Sequence, residues 1–149
     1  MEQESLEFAV TVSGTYWSKK PQFSIWLDNK VIIQTEISSE APQTHKFIHT
    51  IDEGEHVLRI KLENKNDSDT LIVDGNVSKD MLLNIDNITI EGIALNHLLW
   101  TESIYTLDKP HEYQGKEITQ LDNCVNLGWN GSYTFNFYSP YYIWLLEKL

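Results

Sequence analysis

The residues in this chain best suited to chemistry are oxygen donors crowded behind one strand-like segment. Asn64, Asn66, Asp67, Ser68 and Asp69 follow the alternating run 55–62, and Asp80, Asn84 and Asp86 surround the start of a second such run. Carboxylates and amide carbonyls at this density suit a hard cation, since calcium takes about six to eight oxygen ligands at roughly 2.3–2.6 Å. Two strand ends and the loop between them could bring these groups to one point. A solvated acidic loop without an ion is the competing reading of the same residues.

The histidines pose a zinc question. His45 and His49 share one face of a strand pattern and His56 lies across a turn. Zinc needs a third or fourth ligand at roughly 2.0–2.1 Å in a closed geometry, and histidines alternating on an exposed strand produce the same spacing; the second reading is adopted. Cys124 is far from any histidine in the sequence and reads as a buried structural thiol. No strained G-x-S-x-G turn is present, since Ser13-Gly14 and Gly131-Ser132 lack its flanks, and there is no glycine-rich phosphate loop. The 22 acidic residues always offer carboxylate pairs, but the separation that matters for glycoside hydrolysis is three-dimensional. The chain is therefore read as not an enzyme. Aromatic residues are the remaining handle, because flat rings stack on sugars and anchor interfaces. Trp26, Trp129, Tyr141 and Trp144 are the candidates, Trp17, Trp100 and Tyr142 are equally open, and core packing competes for each.

The elements that must position these groups read as short strands. Phe8, Val10, Val12 and Tyr16 alternate over residues 6–17, and Phe23, Ile25 and Leu27 alternate with Ser24, Trp26 and Asp28. A turn at Asp28-Asn29-Lys30 leads into 31–37, and Asp52-Glu53-Gly54 separates two further alternating runs. In the second of these, Leu58, Ile60 and Leu62 take one face and Arg59, Lys61 and Glu63 the other, as in a half-buried antiparallel strand. Many short strands punctuated by turns predict an all-β antiparallel sandwich of jelly-roll type over residues 1–92. Within 82–92 the phase slips, with Leu83 and Ile85 followed by Ile88 and Ile90. Either a bulge lies at Asp86-Asn87 or both faces of the strand are buried.

Beyond Gly92 the texture loosens, and residues 93–149 read as a β-rich C-terminal extension packed on the sandwich or on a partner. Asn130-Gly131 before the alternating Tyr133, Phe135 and Phe137 predicts a hairpin. A short terminal helix is expected from Ser139 as N-cap and Pro140 at the first position, with Tyr141, Trp144, Leu145 and Leu149 on one face. Roughly nine residues of helix do not hold alone in water, so that face should act as an interface element.

Composition narrows the partners. The chain has 149 residues, 41% hydrophobic, with 11 basic and 22 acidic side chains and a net charge of −11. That is enough length for a real core, and so acidic a balance excludes a phosphate backbone as ligand. No apolar run approaches the ~20 residues that span a bilayer, so no membrane partner is expected. The N-terminus lacks the basic and apolar regions of a signal peptide. With one cysteine there is no intrachain disulfide, and the sequons at Asn66, Asn76, Asn87 and Asn130 read as chance.

The glycine turn Asp52-Glu53-Gly54, the alternating strand ending at Glu63-Asn64, the acidic loop and the segment Asp80-Met81-Leu82-Leu83-Asn84-Ile85-Asp86-Asn87-Ile88-Thr89-Ile90-Glu91-Gly92 resemble the calcium-dependent, xylan-binding type of carbohydrate-binding module. The resemblance implies a β-sandwich and a calcium ion held by Asn64, Asp67, Asp69, Asp80 and Asp86. Two departures fall on those positions: Lys65 stands where the family has an Asp, and Met81-Leu82 replace Arg-Asn. A lysine repels the ion directly, so a structural loop without a cofactor is the expectation, and calcium the alternative. Similar modules occur within virion proteins of tailed phages, and the closing residues 133–147 resemble the end of such a protein. The resemblance implies a non-enzymatic virion structural or accessory protein of a tailed phage (tail, fibre or capsid decoration). It would be assembled in the host cytoplasm, with other virion proteins, self-association and a cell-surface polysaccharide as partners. The alternative is a polysaccharide-binding module, free or enzyme-associated.

Overall fold

The computed structural model describes residues 2–148. It is an antiparallel β-sandwich with a short C-terminal helix. The first strands are β1 (Gln3–Thr15), β2 (Gln22–Leu27), β3 (Lys30–Glu36), β4 (Gln43–Asp52) and β5 (Gly54–Leu62). A 3-10 turn (Asp67–Asp69) and a small hairpin of β6 (Leu71–Val73) and β7 (Asn76–Lys79) follow. Then come β8 (Leu82–Ile90), β9 (Ile93–Ala94), the short helix α1 (Leu98–Thr101), β10 (Ser103–Tyr113) and β11 (Lys116–Asp122). The chain closes with β12 (Asn126–Leu127), β13 (Gly131–Ser139) and helix α2 (Tyr141–Lys148). One sheet runs β12-β8-β1-β4, with β9 on β8, and the other runs β11-β10-β13-β5-β2-β3. Among the described residues no helix is long and apolar enough to cross a membrane.

The alternation that predicts the strands also decides which side of each turns inward. Leu6, Phe8, Val10 and Val12 of β1 share one buried layer with the inward residues of β5 and with Tyr133, Phe135 and Phe137 of β13. Phe8 and Phe137 reach across that layer with ring centres 5.9 Å apart. Each large side chain so buried contributes about 1.5–3 kcal/mol.

The boundary expected at residue 92 is not a structural break. β13 pairs with β5 on one side and β10 on the other, so β10, β11 and β13 build half of the larger sheet rather than an extension laid upon the sandwich. The Asn130-Gly131 pair is not a hairpin turn either. β12 belongs with β8 and β13 with β5 and β10, so residues 128–130 cross between sheets. Gly131 serves close approach instead: a Cβ there would collide with the Thr106 carbonyl and stand 2.9 Å from the Tyr105 ring.

Ser139 closes β13 and does not cap α2. Its hydroxyl donates to Glu4 Oε1 at 2.7 Å, and the same oxygen accepts the Tyr141 N–H at 2.8 Å. A carboxylate from β1 thus meets a first-turn N–H that the helix cannot satisfy internally. Tyr141, Trp144 and Leu145 are buried, with Tyr141 and Trp144 against Phe135 and Phe137 of the same chain. Leu149, the fourth residue expected on that face, lies outside the described residues.

The phase slip in β8 is a bulge. Thr11 faces Asn87 while Val12 faces Ile85, leaving Asp86 as the extra, exposed residue and both Ile85 and Ile88 in the core. Among the histidines, His45 and His49 lie on the half-buried side of edge strand β4 rather than on its exposed side, with the His45 ring edge-on to Phe23. His56 is buried apart from them, its Nδ1 2.8 Å from Asp28 Oδ2 and its Nε2 2.6 Å from the Asp52 carbonyl. Burial works to lower this imidazole, but the hydrogen bonds and charges of Asp28 and Asp52 prevail and raise it above its ordinary 6.5.

Two outcomes follow for solution work. Gly131→Ala should lower the unfolding free energy by about 3 kcal/mol, because β10 and β13 must separate. Gly128→Ala, whose Cβ meets only the mobile end of Leu82 at 3.3 Å, should cost far less in the same urea titration. A raised folded pKa means that His56 stabilises fully below about pH 6.5 and loses that contribution as pH rises through the folded value. Melting temperature should fall over that window, and His56→Gln should flatten the slope.

Candidate functional site

The acidic segment after β5 lies at one end of the sandwich, and its backbone is pinned before any side chain is offered to a ligand. Asn64 accepts the Gln22 N–H at 2.7 Å and donates to the Lys20 carbonyl at 3.0 Å. Asn130 makes a reciprocal pair with Lys65, accepting its N–H at 2.8 Å and donating to its carbonyl at 2.9 Å. With its backbone held, Lys65 sends its ammonium inward to Asp80 Oδ1 at 2.7 Å and to the Gly128 carbonyl. The Lys65 side chain is only 7% exposed. Asp80 Oδ1 also accepts the Thr70 hydroxyl at 2.7 Å and the Met81 N–H at 2.8 Å. Burial works against the Asp80 charge, but these three donors outweigh it and hold the carboxyl below its ordinary value.

A second carboxylate at this end has its own partners. Asp69, almost fully buried in the 3-10 turn, accepts from the Ser18 hydroxyl, from the Asn66 N–H at 2.7 Å and from the Lys19 ammonium at 3.1 Å. Burial pushes its carboxyl up, and those donors bring it down below the ordinary value. The Asp69 carbonyl receives the Trp17 indole N–H at 2.8 Å, which fixes a ring that is 41% exposed. The Lys79 ammonium stands over that ring, 5.3 Å from its centre.

Trp129 is held by its backbone. The Tyr105 hydroxyl accepts the Trp129 N–H at 3.1 Å and donates to the Trp129 carbonyl, and burial pushes the Tyr105 phenol well above its ordinary value. The half-buried Trp129 ring stacks on His111, with centres 4.5 Å apart and planes 15° from parallel.

The oxygen donors picked out in the sequence are thus gathered only in part. Asn64, Asp69 and Asp80 share one end of the sandwich, each bonded to different protein groups. Asp67 is exposed at the start of the 3-10 turn. Asp86 sits in the bulge, about 13 Å of strand beyond the start of β8. Among the described residues, no three His, Cys, Asp or Glu side chains converge on a point that could hold a metal. Of the aromatic candidates, Trp26 lies partly exposed on the outer side of β2 under the Lys61 ammonium. Tyr141 and Trp144 are core residues with no face for a ligand. The sequence reading missed the partners of Lys65, the Tyr105 clamp and the His111 stack, and it did not distinguish Trp17 from the other tryptophans. A Trp followed by Ser-Lys-Lys opposite an acidic loop was the one available signal for Trp17.

No protein-family model matches the sequence, and no curated protein matches it. Solved structures do share its architecture. The vCBM60 module in complex with galactobiose superposes with a TM-score of 0.53 at 15% identity, covering 87% of this chain and 98% of the module. A selenomethionine form of vCBM60, described in connection with circular permutation linking two families of calcium-dependent carbohydrate-binding modules, gives a TM-score of 0.58 at 15% identity. That superposition covers 87% of this chain and 89% of the module. The likeness is one of fold.

The clamp on Lys65 can be tested directly. Asn130→Ala removes two hydrogen bonds and leaves partly buried backbone groups unpaired, so it should cost about 2 kcal/mol in urea unfolding. Asn126→Ala, at an exposed position in the same stretch, should stay within about 0.5 kcal/mol.

Proposed function

We propose that this chain is a non-catalytic module that binds a neutral polysaccharide through the loop end carrying Trp17. The observation that carries the reading is the architecture shared with solved carbohydrate-binding modules over most of both chains. Trp17 supplies the place: its half-exposed ring is fixed through the indole N–H, and a rigid indole face is what stacking on a sugar ring needs once the exposed Lys79 side chain over it swings aside. Net charge of −11 argues for a neutral polymer over an acidic one. Two open, polar hollows, one lined by Gln22, Gln34, Thr35, Glu36 and Glu63 and the other by Pro110, His111, Glu112, Gly115 and Glu117, suit contact with a chain better than enclosure of a reacting group. Cys124 is half-buried and burial pushes its thiol up, which disfavours it as a nucleophile.

Calcium dependence in the similar modules raises the question of a metal here, and the residues do not fit one. Asn64, Asp69 and Asp80 are each engaged by protein donors, and Asp80 already holds an ammonium. Recognition on this reading therefore rests on stacking and hydrogen bonds. The virion role suggested by the resemblance rests on context alone, and no residue of the structure carries it.

Affinity electrophoresis in gels containing xylan or galactan should retard the protein, and Trp17→Ala should weaken binding about tenfold. Unchanged migration in every neutral polysaccharide, together with detection of the protein at fixed stoichiometry in purified phage particles, would replace this reading with the structural one.

A further inference from the structure

We infer that the Lys65 ammonium is the resident cation of the loop end, doing the cross-linking that a metal ion would otherwise do. Three separate segments meet at its Nζ: its own loop after β5, Asp80 between β7 and β8, and Gly128 in the crossing before β13. Those partners lie 15 and 63 residues away along the chain, so the contact is a tertiary tie and not local structure. It joins a carboxylate and a backbone carbonyl, the oxygen types a hard cation selects.

The Asp80 oxygen that faces this junction is already taken, since Oδ1 accepts from the ammonium, the Thr70 hydroxyl and the Met81 N–H. Calcium would have to stand roughly 2.3–2.6 Å from its oxygens, and the ammonium is already 2.7 Å from Asp80 Oδ1. A divalent ion there would overlap Nζ and be repelled by its charge. Asn130 holds the Lys65 N–H and carbonyl and so fixes where the side chain leaves the backbone, and the side chain itself is buried along its path to Asp80. Asp69 cannot readily swing over to help, being held by Ser18, Lys19 and the Asn66 N–H. The exchange has a chemical consequence. A calcium ion with unfilled positions accepts oxygens from a ligand, whereas an ammonium has three N–H donors, two of which are engaged here.

The test is a set of thermal melts with millimolar calcium and with chelator, on the wild type and on Lys65→Ala. The wild type should melt identically in both, and in chelator the variant should melt lower by about 5 °C or more, since the Asp80 carboxylate loses its counter-charge. With the ammonium gone, Asp80, Thr70 and the Gly128 carbonyl remain as an oxygen set, so calcium should raise the melting temperature of the variant alone. A calcium-raised wild-type melt, a variant that melts with the wild type, or a variant indifferent to calcium would each overturn the inference. If the variant does not fold in either condition, calorimetric titration of the wild type decides. Calcium binding by the wild type then sinks the inference, and its absence supports a folding requirement for the ammonium.

Discussion

The sandwich depends on where its last strand goes. β13 lies between β5 and β10, so the larger sheet is continuous only when residues near the end of the chain have reached a partner 69 to 85 residues earlier. Its inward side carries Tyr133, Phe135 and Phe137, its far end supports α2 through Phe135 and Phe137, and its near end delivers Gly128 and Asn130 to the Lys65 loop. Remove that strand and β5 becomes a bare edge with unpaired backbone groups, β10 and β11 have no sheet to join, and the loop end loses two of its fastenings. Core, helix and candidate site thus answer to one pairing.

Within this acidic chain the loop end follows a rule of local neutralisation. Asp69 pairs with Lys19 and Asp80 with Lys65, and each carboxylate also collects a hydroxyl and a backbone N–H. Both carboxyls sit below their ordinary value, so each contributes stability that is complete above the usual carboxylate range and lost as pH falls through its folded pKa. The negative charge concentrated here in the sequence is therefore largely structural, and Trp17 gains its fixed orientation as a by-product, through the carbonyl of one of these aspartates.

The fold class was legible because alternation has a direct physical cause: one side of each strand faces the core. That holds for β5 and β13 residue by residue, and for β1 and β2 apart from the buried Ser13 and Ser24. What alternation does not encode is which sheet a strand joins, and the errors cluster there. The Asn130-Gly131 pair has the composition of a hairpin turn, yet its glycine answers to the backbone of β10. The looser texture after Gly92 suggested an extension, although β13 keeps strict alternation and belongs at the centre of a sheet. At the candidate site the sign of Lys65 was readable, since a cation among carboxylates opposes a metal. Its partners were not, because Gly128 and Asp80 are brought to it by long-range packing.

The bulge in β8 has a consequence for the history of the chain. Reading β8 without Asp86, the remaining residues alternate without a break: Leu83, Ile85, Ile88 and Ile90 inward, and Asn84, Asn87 and Thr89 outward. A residue added to an ordinary strand sends every later side chain to the opposite side of the sheet, but at a bulge the extra residue is absorbed locally. Asp86 therefore marks a position where a single codon could be inserted or deleted with the core side of β8 unchanged. An alignment of this strand to distant sandwiches should allow a one-residue gap at that point, or half of its inward residues will be matched to outward ones.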